Sequence, residues 1–286
     1  MASMRDIKRR KGSIQSTQQI TKAMKLVSTV KLQRSKQHAL DARDYFSYMY
    51  KTVQSMLKKA GNISHPFINP SECKKKAVVM ITGNRGLAGG YNSNVIRLVT
   101  KGDWNKEDLV IYPIGSKGRD TMARYGYELA GDYSSMIENP EYIDAMRLSA
   151  HLLKSFKDGE IGEIYLAYTH FKNTVVHEPV LMKLLPVEQG EASDTGAGEE
   201  DIPMNFEPKE QEALDLIIPK YVTSIIYGGM VESVASENGA RMQAMDSATS
   251  NAEDLISKLT LQYNRVRQSS ITQELTEIIA GANAIS

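Results

Sequence analysis

The chain has one cysteine, Cys73, in 286 residues. That excludes an intrachain disulfide framework and a thiolate zinc site. Net charge is also missing: 35 Lys+Arg stand against 34 Asp+Glu, a formal charge of +1. Neutrality removes the simplest electrostatic case for a nucleic-acid binder. No apolar run approaches the roughly 20 residues that span a bilayer. The opening MASMRDIKRRKGSIQ lacks the apolar core of a secretory signal. With 41% apolar residues a folded core is expected, in an intracellular protein with Cys73 reduced.

Proline and glycine are scarce where it matters. Residues 3 to 59 contain no proline and one glycine, Gly12. Breakers follow at Gly61-Asn62, His65-Pro66 and Asn69-Pro70. The spacing predicts one helix of roughly 84 Å at about 1.5 Å per residue, too long for an ordinary core helix. Ile20, Met24 and Val27 follow a 4-then-3 spacing, and Ile7 and Ile14 are one heptad apart. The rest of that seam is polar, so this helix needs a partner.

Overall neutrality hides segregated charge. Residues 1 to 60 carry fourteen Lys/Arg and three acids; residues 187 to 207 carry seven acids and no base. Such segregation suggests distinct surfaces for distinct partners, although a solvated helix face and a solvated loop account for it equally well.

Between the ends the pattern changes. Residues 77–82 and 109–114 are short apolar runs that end at glycines, the mark of buried strands. Residues 92–101 and 117–125 read as helices. Glu141 to Lys157 is amphipathic, with Ile143, Met146, Leu148, Leu152, Leu153 and Phe156 on its apolar side. Residues 161–169 and 180–185 read as further strands. Alternating strands and helices predict a small α/β domain with a mainly parallel sheet. Residues 188–206 read as an acidic, exposed loop.

Residues 208 to 284 are again helix-like. Ala235, Asn238, Met242, Met245, Thr249, Ala252, Ile256, Leu259, Tyr263 and Val266 alternate spacings of three and four without a break. A 3.5-residue period predicts a left-handed supercoil with a partner. Pro219 is expected to kink this helix, and Gly228-Gly229 and Gly239 to weaken it by up to about 1 kcal/mol each. The two terminal helices are natural partners. Paired antiparallel, the second outruns the first and leaves Ile271 to Ile285 with nothing in this chain to cover its apolar residues.

Chemistry-bearing motifs are few. Thr82-Gly83-Asn84-Arg85-Gly86-Leu87-Ala88-Gly89-Gly90-Tyr91-Asn92 is a glycine-rich strand-to-helix loop, the place where phosphates bind. It lacks the Lys-Ser/Thr of a Walker loop and the Gly-x-Gly-x-x-Gly spacing, so a tight packed turn is the favoured reading. Gly115-Ser116-Lys117-Gly118-Arg119 could also touch an anion. The histidines His38, His65, His151, His170 and His177 have no ligand spacing. No Gly-x-Ser-x-Gly elbow and no Cys/His pair is present. Glu199-Glu200-Asp201 lies in a loop with no apolar wall. No catalytic residue, cofactor or metal site is expected.

The chain resembles the gamma subunit of the rotary F-type ATP synthase along its whole length. Residues 271–284, Ile-Thr-Gln-Glu-Leu-Thr-Glu-Ile-Ile-Ala-Gly-Ala-Asn-Ala, are similar to the family's C-terminal signature. Met4 to Arg10 and Ser16 to Lys25 resemble its N-terminal helix, and Gly239-Ala240-Arg241-Met242 and Arg85 to Asn92 match further motifs. The sequence departs from the plastid branch in having Ala88 before Gly89 and no regulatory cysteine pair, so redox control is not expected.

The resemblance implies an α/β fold class: a long antiparallel left-handed coiled coil of the terminal helices plus a small Rossmann-like α/β domain. The expected division is 1–60 and 208–286 for the shaft helices, 76–187 for the α/β domain and 188–207 for the acidic loop. It implies a rotor shaft inside a hexamer of alpha and beta subunits, with epsilon and the c ring as further partners and catalysis in beta. By motif match, Met24 and Lys25 would meet the beta lever. Arg241, Arg267, Gln268, Thr272 and Glu274 would meet the upper hexamer, and Phe206 and Glu207 the c ring. The setting implied is the cytoplasmic face of a bacterial membrane, peripheral and not inserted, with no nucleic-acid partner. The alternative is a nucleotide-binding α/β enzyme using the Gly83–Gly90 loop.

Overall fold

The computed structural model describes residues 3–60, 65–69, 73–102, 104–187 and 210–285. The acidic segment 188–207 lies outside them. Two compact units are present, Met1–Thr29 with Arg241–Ser286, and Val30–Ala240. Helix α1, Met4–Ala60, and helix α5, Glu210–Ile285, each contribute to both.

In the larger unit, the strands are β1 (Lys76–Ile81), β2 (Leu109–Ile114), β3 (Glu128–Leu129), β4 (Glu163–Phe171) and β5 (His177–Leu185). The helices between them are α2 (Tyr91–Thr100), α3 (Ser116–Arg124) and α4 (Tyr142–Lys157). The sheet order is β3-β2-β1-β4-β5. β1 pairs parallel with both β2 and β4, and β5 closes the edge antiparallel to β4. The two-residue β3 was not legible in the sequence, being too short to show a period. Central β1 is buried on both sides, as its unbroken apolar run requires. Val78 and Met80 face α2 and α3, packed with Val95, Val99 and Met122. Ala77, Val79 and Ile81 face the opposite layer, built from α4, α5 and the end of α1 with Leu152, Val222 and Leu57.

The glycines of α5 explain themselves by contact. A Cβ on Gly228 would lie 2.8 Å from the Phe46 ring of α1, and one on Gly229 would lie 3.0 Å from Leu166 of the sheet. Helix α5 is therefore held between α1 and the sheet where a larger residue would push them apart. The helix is continuous through Pro219, with the Thr223 hydroxyl donating to the Pro219 carbonyl at 2.8 Å. Helix α5 also corrects the expectation that no segment is apolar enough to span a bilayer. By length and composition it would pass, but 61% of its apolar window is buried inside the protein.

Two other expectations are corrected. On α4, Leu148, Leu152, Leu153 and Phe156 are buried, but Ile143 and Met146 are 40% and 44% exposed. Ala145 and Ser149 take the inward positions near the helix start. On α1, Ile20 and Val27 are 60% and 58% exposed.

The smaller unit explains the α1 result. Met4, Ile7, Lys11, Ile14, Gln18, Thr21, Lys25 and Ser28 are among its less exposed positions on α1 and alternate spacings of three and four, with Met24 and Thr29 flanking that stripe. Ile7 and Ile14 set that phase, and Ile20 and Val27 fall one residue off it. The α5 seam runs as the spacing predicts. Met245, Ala252 and Leu259 are buried, while Met242, Thr249, Ile256, Tyr263 and Val266 are partly so. Gln18 bonds Glu253 at 3.0 Å, the Thr21 and Thr249 hydroxyls meet at 2.8 Å, and Lys25 pairs with Asp246 at 2.5 Å. Numbers rise on one helix as they fall on the other, so the pair is antiparallel.

Gly115 is required by its backbone. It sits at φ 112°, and a Cβ would lie 2.0 Å from the Thr82 carbonyl oxygen. Gly115→Ala is expected to destabilise the chain by about 2–3 kcal/mol. Gly12 lies within α1 with nothing within 4 Å of its missing Cβ, so Gly12→Ala is expected to stabilise by about 0.5–1 kcal/mol. Denaturant unfolding of both variants checks the opposite signs.

Candidate functional site

Two places could carry function: the carboxyl end of the parallel sheet and the helix pair. In open α/β sheets ligands bind beyond the strand ends at the point where strand order reverses. Here that point lies between β1 and β4. It is filled from within the chain. The first backbone donors of α3 are taken, Ser116 N–H by Asn84 Oδ1 at 2.8 Å and Gly118 N–H by Thr82 Oγ1 at 2.9 Å. Gly83 N–H donates to Asn92 Oδ1 at 2.8 Å. Helix α5 covers the rest. Ser233 Oγ accepts from Thr169 N–H and Ser236 Oγ donates to the Thr169 carbonyl, each at 3.3 Å. The Glu237 carboxylate stands 2.7 to 2.8 Å from where a Gly83 Cβ would be.

A phosphate at this loop would meet a carboxylate where it needs a donor. Gly83 thus serves close packing, as the turn reading expected, and Glu237 opposes an anion beside it. Arg119, in the second glycine motif, is engaged by Asp120 and Asp132. The contacts of Glu232, Ser233, Ser236 and Glu237 went unread in the sequence. Four polar residues amid the alanines and valines of one apolar helix stretch were the available signal.

Among the described residues no cluster of three His, Cys, Asp or Glu could hold a metal ion. His170 Nδ1 lies 2.6 Å from Glu232 Oε2, a contact between β4 and α5. His177 stacks on Phe171 with ring centroids 6.0 Å apart, and both its nitrogens are buried without a hydrogen-bond partner. Burial holds the His177 imidazole below its ordinary range. Burial does the same to His65, against the opposing pull of Asp215.

The residues assigned by motif to hexamer contact all fall in the Met1–Thr29 and Arg241–Ser286 unit. Met24, Lys25 and Arg241 are half-buried there, and Lys25 is tied to Asp246. Arg267, Gln268, Thr272 and Glu274 are exposed. The antiparallel register sets Met4 opposite the turn that holds Arg267, so α1 ends there and α5 continues alone. From Ile271 to Asn283 every residue is exposed, Leu275, Ile278 and Ile279 included. Among the described residues, Thr276 and Gln273 bond within this helix, to Thr272 and Glu277. Phe206 and Glu207, assigned to the ring, lie outside the described residues.

Residues 3–285 match the family model described as ATP synthase. The ATP synthase gamma chain of Lachnoclostridium phytofermentans is 62% identical over 100% of both chains. The sodium ion specific ATP synthase gamma chain of Acetobacterium woodii is 42% identical over 99% of each. Among solved structures, a chain of the Euglena gracilis mitochondrial ATP synthase OSCP/F1/c-ring assembly superposes with a TM-score of 0.67 at 19% identity. That match covers 99% of this chain and 94% of the other. A chain of the Tetrahymena thermophila central stalk/c-ring gives 0.60 at 24%, covering 80% and 99%. At those identities the structures establish a shared fold.

Two outcomes follow from this geometry. The isolated chain is expected to bind no ATP saturably at about 1 mM or below, which equilibrium dialysis checks. Stability is expected to depend on pH through the buried histidines. Their folded-state pKa values lie below the unfolded value of about 6.5, so the native state binds fewer protons. Stability is therefore full above about pH 6.5 and is lost as pH falls below it. Thermal melts from pH 8 to 5 should show that fall, and His177→Leu should make it shallower.

Proposed function

The chain belongs to the ATP synthase gamma-chain family, and we propose that it is the central rotor shaft of an F-type enzyme. In this reading it couples proton-driven rotation of a c ring to sequential conformational change in an alpha/beta hexamer. Catalysis lies in the beta subunits, and this chain has no active site of its own. The observation that carries the reading is the antiparallel helix pair with a polar seam, from which α5 alone continues as an exposed tail.

A rotating part must make contacts that are easily exchanged. Thr21, Ser28 and Thr249 occupy seam positions where a stable coiled coil carries leucine. Each such replacement forgoes about 1.5–3 kcal/mol of burial, and the surface left outward is mostly polar or thinly apolar. The tail from Ile271 has the length and mixed character to run inside a sleeve. The basic first helix suits acidic loops of the hexamer, because long-range attraction survives rotation better than fixed pairs. Coupling then requires contacts that differ between the open and closed states of each catalytic subunit.

Met24 and Lys25 are assigned to the lever contact, and Arg241, Arg267, Gln268, Thr272 and Glu274 to the upper hexamer. Phe206 and Glu207 are assigned to the foot on the ring. The filled crevice at Gly83 supports a subunit without nucleotide of its own. The buried apolar window of α5 supports a peripheral place, at the cytoplasmic face of a bacterial membrane, over insertion.

Met24→Lys adds a charge beside Lys25. Reconstituted with alpha, beta and membrane subunits, it is expected to assemble normally and to lower pumped protons per ATP about fivefold. A fall of pumping and hydrolysis in strict proportion would overturn the lever assignment. Deleting residues 277–286 is expected to preserve assembly and lower single-molecule torque. Unchanged torque and complex stability would count against a bearing role for the helix end beyond Glu274.

A further inference from the structure

Helix α5 leaves the sheet through a run of polar contacts. Before that run it is seated by Leu214, Ile218, Val222, Ile226 and Met230, all fully buried and spaced by four. Apolar burial is non-directional, so it resists turning of the helix about its own axis only weakly. Past Met230 the contacts change in kind. Glu232 Oε2 lies 2.6 Å from His170 Nδ1 and accepts from the Phe171 N–H at 3.4 Å. Ser233 and Ser236 are fully buried, and both bond the Thr169 backbone. Thr169 lies two residues past the last β1–β4 pair, Met80↔Ala167, and opposite Pro179, which has no N–H to donate. The serines supply a donor and an acceptor where the ladder runs out.

Two interlocks accompany these bonds. The Glu237 carboxylate stands in the space a Gly83 side chain would take, and the His177 ring stands 2.7 Å from where a Gly239 Cβ would be. Sheet and helix each admit the other's side chain at a glycine. The contacts span residues 232 to 239, about 10 Å of helix rise. They reach the ends of three strands: β1 through Gly83, β4 through residues 169–171 and β5 through His177. Gly239 is one residue short of Ala240, where the larger unit ends, and α5 continues past it without a break. A hydrogen bond weakens steeply as its angle closes, and a side chain seated in a neighbour's gap blocks sliding. These contacts therefore oppose rotation of α5 against the sheet. Alanine at 233 and 236 would serve the helix better, so the two hydroxyls answer to orientation rather than to helix formation.

We propose that Glu232, Ser233, Ser236 and Glu237 form a torque clasp: they fix the angle of α5 on the sheet, and rotation passes through them between the α/β domain and the rest of α5. None of the four touches a reacting group; they are positioning residues for coupling. The inference rests on the rotor-shaft reading and adds the place inside this chain where load changes hands. A weakened clasp lets the helix turn without the domain. Hydrolysis in the hexamer then proceeds while less of each turn reaches the ring.

The test uses the whole enzyme in sealed vesicles. Ser233→Ala with Ser236→Ala is expected to assemble and, with the gradient collapsed, to hydrolyse ATP within about twofold of the parent, while protons pumped per ATP fall about threefold or more. Hydrolysis by this variant should also no longer slow as the gradient builds, a readout that simple destabilisation would not move. A cysteine pair, Gly83→Cys with Glu237→Cys in a Cys73→Ser background, adds a covalent fastening at the same place. In the double-alanine chain, oxidising that pair is expected to restore pumping, and reducing it to remove the gain. Parent-like pumping by the double-alanine chain overturns the proposal. So does a proportional loss of hydrolysis and pumping, or pumping that ignores the state of the cysteine pair. If the double-alanine chain does not assemble, Glu232→Gln, which keeps the side chain's shape, is read by the same ratio and decides. If hydrolysis and pumping by the parent do not require this chain, the shaft reading fails; if they require it and the variants stay coupled, only the clasp fails.

Discussion

The structure depends on how closely α5 approaches its neighbours. At Gly228 and Gly229 the helix has no side chain, and there it lies against Phe46 on one side and against Leu166 and Ile81 on the other. That contact joins the first and last segments of the chain to the sheet between them. Helix propensity alone argues against two adjacent glycines in a helix, by about 1 kcal/mol each. Packing offsets that cost, because apolar burial here involves β1, β4, α4 and the end of α1 together. The polar contacts beyond the glycines, from Glu232 to Glu237, are possible because the helix is already seated.

The same seating decides what the α/β domain can do. Its topology is one that hosts nucleotides in many proteins, and fold alone says nothing about whether a given copy does. Here the reversal point between β1 and β4 is occupied by α5, with serines on the Thr169 backbone and a carboxylate near Gly83. The domain has become a mount for a helix. Where α1 and α5 pair in the smaller unit, hydroxyls and ion pairs share the seam with few large apolar side chains. Strength of association is modest there, and register comes from specific polar partners.

Much of this was legible in the sequence, and the exceptions have a common cause. The strands at 76–81 and 109–114 and the helices around them follow from period and punctuation. The ten-position seam of α5 was readable because its 3-4 spacing never breaks. On α1 the apolar residues were misleading: Ile20 and Val27 are larger than Thr21 and Ser28, and they lie outside. On α4, Ile143 and Met146 misled in the same way. In each case periodicity identified the helix correctly and misplaced part of its buried face, Leu148, Leu152, Leu153 and Phe156 on α4 and Ile7 on α1 lying inside as read, because size and hydropathy do not say which face a distant segment will cover. The paired glycines of α5 read as weakness for the same reason.

The sequence by itself determined the elements, their order, the 3.5-residue period of the last helix and the family. Those properties are local, or are carried by runs of residues that need no partner to be recognised. Only the tertiary structure decided which face of each helix is buried, that the glycine loop is closed by a carboxylate, and that an apolar strip on α4 stays open. These depend on contacts between residues far apart in the chain, such as Gln18 and Glu253, 235 positions apart. A helix's own pattern constrains its partners without naming them, so these outcomes become visible only when the segments meet.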